Sequence, residues 1–154
     1  MCLKKYISCI NTSADYRKYE TERMEIGMKV IHTEKAPAAI GPYSQAMVTG
    51  GLVFTSGQIP VNPENGEVTG TDITGQAHQV MKNLGEVLKA AGSGYEQAVK
   101  TTCFLADMED FAAFNAVYGA YFTGKPARSC VAVKTLPKGV LCEVEVIAGL
   151  CEDR

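Results

Sequence analysis

Histidine is scarce in this chain: only His32 and His78 occur among 154 residues, and neither sits in a Cys/His ligand pattern. That scarcity argues against a catalytic zinc centre, which needs several imidazole or thiolate donors at short spacing. No CxxC pair occurs either. The six cysteines, Cys2, Cys9, Cys103, Cys130, Cys142 and Cys151, are irregularly spaced and read as reduced thiols of a cytoplasmic protein. A basic excess is missing, since 15 Lys and Arg face 17 Asp and Glu for a net charge of −2. That balance speaks against a dedicated nucleic-acid binder. No phosphate loop or dinucleotide fingerprint is present, because Gly92-Ser93-Gly94 lacks a strand before it and a helix after it. Internal repeats and low-complexity tracts are absent. The longest charge-free stretch, residues 36–63, is broken by Pro37, Pro42, Pro60, Pro63 and several glycines, so it cannot span a membrane. Such a stretch suits a core, a pocket or an interface instead. At the N-terminus the apolar run after Lys4-Lys5 is short and interrupted by Ser8, unlike a secretory signal.

What is present is the material for one domain. Hydrophobic residues make up 46% and charged residues 21%, and a chain of this length buries roughly 68–70% of its unfolded surface without staples. Residues 1–27 hold five of the basic and four of the acidic residues and show no sustained period. They read as a loosely ordered tail, or as an upstream start with Met28 as the true one. The domain proper is expected over 28–150, followed by a short tail at 151–154, and residues 28–154 together carry a net charge of −3.

From residue 29 onward the pattern is regular. A first strand is predicted over 30–32. Strands over 45–49 and 52–56 flank Gly50-Gly51, a pair suited to a two-residue hairpin turn in which both positions take φ > 0. Residues 60–70 read as a loop with turn signals at Asn62-Pro63 and Asn65-Gly66. Ile73, Ala77, Val80, Met81, Leu84, Val87, Leu88 and Ala91 then fall on one helical face, with Thr71 or Asp72 as cap and Gly92 as stop. A strand over 98–105 follows. A second helix is predicted from about Asp107, with Glu109 and Asp110 in its first turn and a stripe of Phe111, Phe114, Tyr118 and Tyr121 that reads as core. Strands over 127–133 and 141–148 complete a βββαβαββ order. Two helices with about six strands indicate a two-layer α+β domain, both helices on one sheet face. The other face is then wet or an interface between copies, and the charge-free stretch favours the interface.

Three residue groups could carry chemistry. Lys125, Arg128, Lys134 and Lys138 form a run of cations without an acid. Arg128, entering a strand among apolar neighbours, is either a solvated strand-end arginine or a bidentate clamp for a carboxylate. Glu143 and Glu145 share one face of the last strand by their spacing of two. They are either a solvent-facing stripe or, if buried, a carboxyl held near neutrality for acid–base work. Cys130 shares Arg128's side of its strand, where a cation would lower its thiol pKa. Neither histidine is placed to partner it, and a small buried hydrophobe is the default reading.

Gly41-Pro42-Tyr43-Ser44-Gln45, Thr55-Ser56-Gly57-Gln58-Ile59-Pro60, and Pro126-Ala127-Arg128-Ser129-Cys130-Val131 with Leu136-Pro137 and Cys142-Glu143-Val144-Glu145 resemble the RidA (YjgF/YER057c/UK114) family. The resemblance covers residues 28–149. It implies a chorismate-mutase-like α+β fold with a mixed six-stranded sheet, and a homotrimer with sites in the clefts between subunits. It further implies hydrolytic deamination of reactive 2-imino or enamine acids to 2-keto acids and ammonia, without cofactor or metal. By position, Arg128 corresponds to the arginine that binds the substrate carboxylate, and Glu143 to the carboxylate associated with the attacking water. Tyr43, Ser56, Gly57 and Cys130 correspond to the remaining pocket positions. Two other activities stay open: an endoribonuclease or translation inhibitor, motivated by the basic run, and a non-enzymatic protein that binds small acids at Arg128. The 123–125 connection is shorter than in some members, and residues 1–27 have no counterpart in compact ones.

Overall fold

Short strands and one long amphipathic helix follow directly from the residue pattern. A computed structural model describes residues 27–151. The tail expected over 1–27 therefore lies, apart from Gly27, outside the described residues, as do residues 152–154. The elements are β1 (Lys29–Ile31), β2 (Ala46–Thr49), β3 (Leu52–Thr55), α1 (Ile73–Ala90), β4 (Ala98–Leu105), α2 (Phe111–Tyr121), β5 (Ala127–Ala132) and β6 (Cys142–Gly149). The expected βββαβαββ order holds.

The six strands form one sheet in the order β1-β2-β3-β6-β4-β5. Only β4 and β5 pair in parallel, so the sheet is mixed. Gly50 and Gly51 close the β2–β3 hairpin at φ of 57° and 76°, which a side chain at either position would strain. The last strand becomes a central one, between β3 and β4. Strict alternation along it turns Cys142, Val144, Val146 and Ala148 toward the helices and leaves Glu143, Glu145 and Ile147 on the opposite face.

Both helices cover that one face. In α1, Asp72 caps the N-terminus by accepting from the Gly75 N–H at 2.7 Å, and the chain leaves through Gly92 at φ 78°. Ile73, Ala77, Val80, Met81, Leu84, Val87 and Leu88 are buried. Each larger member contributes about 1.5–3 kcal/mol by leaving water. α1 lies against β6 and β3, and α2 lies against α1. The Tyr118 hydroxyl of α2 meets Thr101 Oγ1 of β4 at 2.8 Å inside the core. Of the aromatic stripe, Phe114 and Tyr118 are buried, and Phe111 and Tyr121 pack partly exposed at its rim.

Several boundaries differ from the sequence reading, each for a local reason. The second helix does not start at Asp107. That side chain accepts from the Glu109 N–H at 2.9 Å and caps a 3-10 turn, Met108–Asp110, ahead of α2. β1 ends at Ile31 because its partner strand begins at Ala46. Gln45 leaves the ladder because its buried side chain bonds to the backbone of Thr33, Ala36 and Pro37. Leu141 stays outside β6 because its N–H donates to Gln76 Oε1 at 2.7 Å. β5 stops at Ala132, which pairs with the last residue of β4.

Asn83 on α1 is almost fully buried and donates to the carbonyls of Ile59 and Val61 at 2.9 and 2.8 Å. It ties the 57–70 loop to the helix. Asn83→Ala leaves both carbonyls without this donor and is expected to cost about 1–3 kcal/mol, read as a lower urea midpoint. An unchanged midpoint would show that the tie contributes nothing.

Candidate active site

The first group of site residues forms where β3 leaves its ladder. Phe54 pairs with Ile147, yet the next bridge joins Gln58 to Val144. Three residues thus face two across the gap. Thr55 fills it by accepting the Val146 N–H on its hydroxyl at 2.9 Å. The detour swings Ser56 and Gly57 over the open face of β6. A Cβ on Gly57 would lie 1.8 Å from Glu143 Oε1, so only glycine leaves room for the carboxylate there. The Ser56 hydroxyl donates to the Ser44 carbonyl at 2.6 Å, and the Ser56 N–H donates to Gln45. Tyr43, next to Ser44 in the β1–β2 loop, is 53% exposed, its hydroxyl accepting from the Ile40 N–H at 3.3 Å. Tyr43, Ser56, Gly57 and Glu143 therefore belong to one neighbourhood. A cavity of about 230 Å³ adjoins it, lined in part by Tyr43, Gly57, Ile59, Val61 and Lys138.

Glu143 is half-buried, and its carboxyl is held above the ordinary carboxylate range. Burial is the main cause, and the Glu145 charge two residues on adds to it. The expectation that both glutamates share a face is met, and that face is not a freely solvated stripe.

Arg128 and Cys130 form a second group, on the other side of the sheet. Arg128 stands in register with Thr101 and Cys130 with Cys103, both on the helix-covered face. The Arg128 guanidinium carbon lies 4.6 Å from the Tyr118 ring centroid and 5.5 Å from that of Phe111. Its Nη1 donates to Asn115 Oδ1 at 2.7 Å. These partners are an amide oxygen and two aromatic faces, so they hold the cation without neutralising it. Because β5 ends the sheet, this group sits at an edge.

The structure thus brings together four of the expected residues and, separately, the other two. Within one chain Arg128 and Glu143 lie on opposite faces of the sheet. Cys130 also departs from the sequence reading. Arg128 does pull its pKa down, but burial outweighs that and the thiol is pushed up. It is a protonated, half-buried group rather than an activated nucleophile. Cys103 and Cys142 are buried and pushed up to about 12 by the same cause. All four cysteines of the described residues are free thiols. His78 meets the Tyr121 hydroxyl at 3.2 Å on the surface, away from either group.

Asn115 and the second use of Tyr118 escaped the sequence reading. Phe111, Asn115 and Tyr118 are spaced i, i+4, i+7 and share one helix face, which was the available signal. Among the described residues, no cluster of three or more His, Cys, Asp or Glu side chains is arranged to hold a metal ion. No helix among them is long and apolar enough to cross a membrane.

The Gly57 contact yields a direct test. Gly57→Ala must push the Glu143 carboxylate aside, while the flexible side chain spares the backbone. The variant is expected to keep its thermal midpoint and to return the Glu143 titration toward the ordinary carboxylate range by carboxyl-carbon NMR. An unmoved titration would mean that the glycine does not set the carboxylate's place.

The family described as Endoribonuclease L-PSP matches residues 33–150. The 2-iminobutanoate/2-iminopropanoate deaminase of Escherichia coli is 52% identical over 124 residues, covering 78% of this chain and 96% of that protein. The crystal structure of the E. coli YjgF gene product is 50% identical with a TM-score of 0.75, covering 79% of this chain and 98% of its own. E. coli TdcF, solved with bound serine, is 44% identical with a TM-score of 0.76, covering 80% and 99%. With the sheet order, the helix placement and these matches in agreement, the chain belongs to the RidA/YjgF family, described in its family model as Endoribonuclease L-PSP.

Proposed function

We propose that this protein hydrolyses 2-imino and enamine acids, 2-iminobutanoate and 2-iminopropanoate among them, to 2-keto acids and ammonia. The observation that carries the reading is a guanidinium held by uncharged partners, in a chain 52% identical to a deaminase of that substrate class. Such a cation retains its attraction for a small anion and its planar fork matches a carboxylate.

The complementary carboxylate is Glu143, on the opposite face of the same chain, so the site needs a second copy. The edge strand β5 presents Arg128 and Cys130. The open sheet face of a neighbouring copy presents Glu143 beside Gly57, with Ser56 next to Gly57 after β3 and Tyr43 on the β1–β2 loop. Val131, 46% exposed on β5, and Phe54 on the open face are the apolar surface such packing would cover. A homotrimer, with three such clefts, follows this pattern around a ring.

In that cleft Arg128 binds the substrate carboxylate and fixes the C=N carbon. Glu143 accepts a proton from water as the O–C bond forms and the C=N π electrons move onto nitrogen. Glu143 returns that proton to the nitrogen, giving the neutral carbinolamine. Glu143 then takes the carbinolamine hydroxyl proton and delivers it to the nitrogen as the C–N bond breaks, so the bonding pair leaves with ammonia and the oxygen electrons form the C=O bond of the keto acid. Each proton and electron pair is accounted for by these two side chains and one water. An enamine enters the same route after protonation at carbon. The Cys130 thiol stays protonated and serves as pocket wall.

The family's description as an endoribonuclease favours RNA cleavage as a second reading. In the cation run that motivated it, Lys138 donates to the Gly66 carbonyl at 2.8 Å and Arg128 is turned onto α2. RNA retention that weakens steeply with salt would support that reading.

Two measurements test the deaminase directly. With a threonine dehydratase supplying imine and semicarbazide competing for it, Arg128→Ala is expected to lose about a hundredfold or more in kcat/KM. Full activity in that variant would remove the carboxylate clamp. The rate should also fall as pH drops through the raised Glu143 pKa, because only the carboxylate form accepts a proton. Glu145→Gln, by removing the like charge, should move that acid limb to lower pH, and Glu143→Gln should abolish it. An acid limb indifferent to both substitutions would contradict Glu143 as the base.

A further inference from the structure

Arginine side chains at a sheet edge ordinarily keep several rotamers, and an anion that binds one must freeze it. Arg128 is instead held on three sides before any ligand arrives. Its guanidinium stacks on Tyr118 at 4.6 Å and approaches Phe111 at 5.5 Å, and Nη1 donates to Asn115 Oδ1 at 2.7 Å. The Tyr118 ring has little freedom itself. Its hydroxyl meets the fully buried Thr101 Oγ1 at 2.8 Å, and its face stacks on Phe122 with centroids 4.5 Å apart. Asn115 is exposed and has water available, so its bond to Arg128 is not demanded by core satisfaction.

We infer that Asn115 and Tyr118 are positioning residues for Arg128: the ring fixes the guanidinium plane and the amide fixes its rotation. Nη2 and Nε keep their hydrogens for the substrate carboxylate. This inference rests on the deaminase reading, in which Arg128 is the carboxylate clamp. The effect belongs to binding. A guanidinium free to wander costs affinity for any small 2-keto or 2-imino acid, while the proton transfers at Glu143 are untouched.

The experiment compares four variants by KM, kcat, affinity for 2-oxobutanoate and thermal midpoint. Asn115→Ala is expected to raise KM and the 2-oxobutanoate Kd about tenfold, with kcat and the midpoint little changed. Asn115→Asp, which sets a competing carboxylate against Nη1, is expected to raise both further. Tyr118→Phe keeps the ring face and its stacking on Phe122 but loses the Thr101 contact, so its midpoint falls and its KM rises less than in Tyr118→Leu. Tyr118→Leu loses the face and raises KM. Should it fail to fold, the surface substitutions at Asn115 decide alone. Unchanged KM and Kd in both Asn115 variants, with Arg128→Ala inactive, would overturn the positioning role and leave the deaminase reading intact. Full activity in Arg128→Ala would overturn both.

Discussion

Everything in the proposed site depends on the two-residue period of a β-strand. β6 runs through the centre of the sheet, and each step along it changes face. That alternation fills the core with Val144, Val146 and Ala148 and commits Glu143 to the uncovered side. The same rule, carried across β4 into β5, commits Arg128 to the helix-covered side through its pairing with Thr101. A shift of one residue in either register would expose half of the core strand, so the separation of the two charges is fixed by stability itself. A fold of this kind cannot bring the cation and the carboxylate together in one chain. It can present each where another copy would reach it.

The two halves are prepared differently. Arg128 keeps its charge in a cradle of rings and one amide oxygen, which orients it without neutralising it. Glu143 gains its tuning from desolvation, with Gly57 leaving the space for the carboxylate and Glu145 adding a like charge. Thr55 sits at the hinge of that arrangement. By bonding to the Val146 N–H it closes the ladder where Ser56 and Gly57 depart from it. Burial also explains why the thiols stay inert: the pull of Arg128 on Cys130 is real and is outweighed.

Much of the architecture was legible in the sequence because it rests on local rules. The α1 stripe, the Asp72 cap, the Gly50-Gly51 turn and the 98–105 strand needed only periodicity and turn chemistry. The 3-10 turn after Asp107 was not legible, because an acid at that point caps either kind of helix. Nor was the Ser56-Gly57 detour, since its cause is a side chain–backbone bond to a strand about ninety residues away. Arg128, Glu143 and Cys130 stood out by charge and strand period, and Tyr43, Ser56 and Gly57 through the family motifs, whereas their distribution over two faces required the pairing of β4 with β5 and β6. Tyr118 shows the remaining gap: one helical period served both the core and the arginine, and the pattern distinguishes them only once β5 is placed.

The central claim is that a working cleft joins Arg128 from one copy to Glu143 from another. It is tested by co-assembling Arg128→Ala chains with Glu143→Gln chains, each inactive alone, and measuring imine hydrolysis by the mixed oligomer. Random mixing around a ring makes about a quarter of the clefts intact, so activity near that fraction of the native rate is expected. A mixture no more active than its parents would contradict the claim, because each chain would then have to supply both groups to the same site.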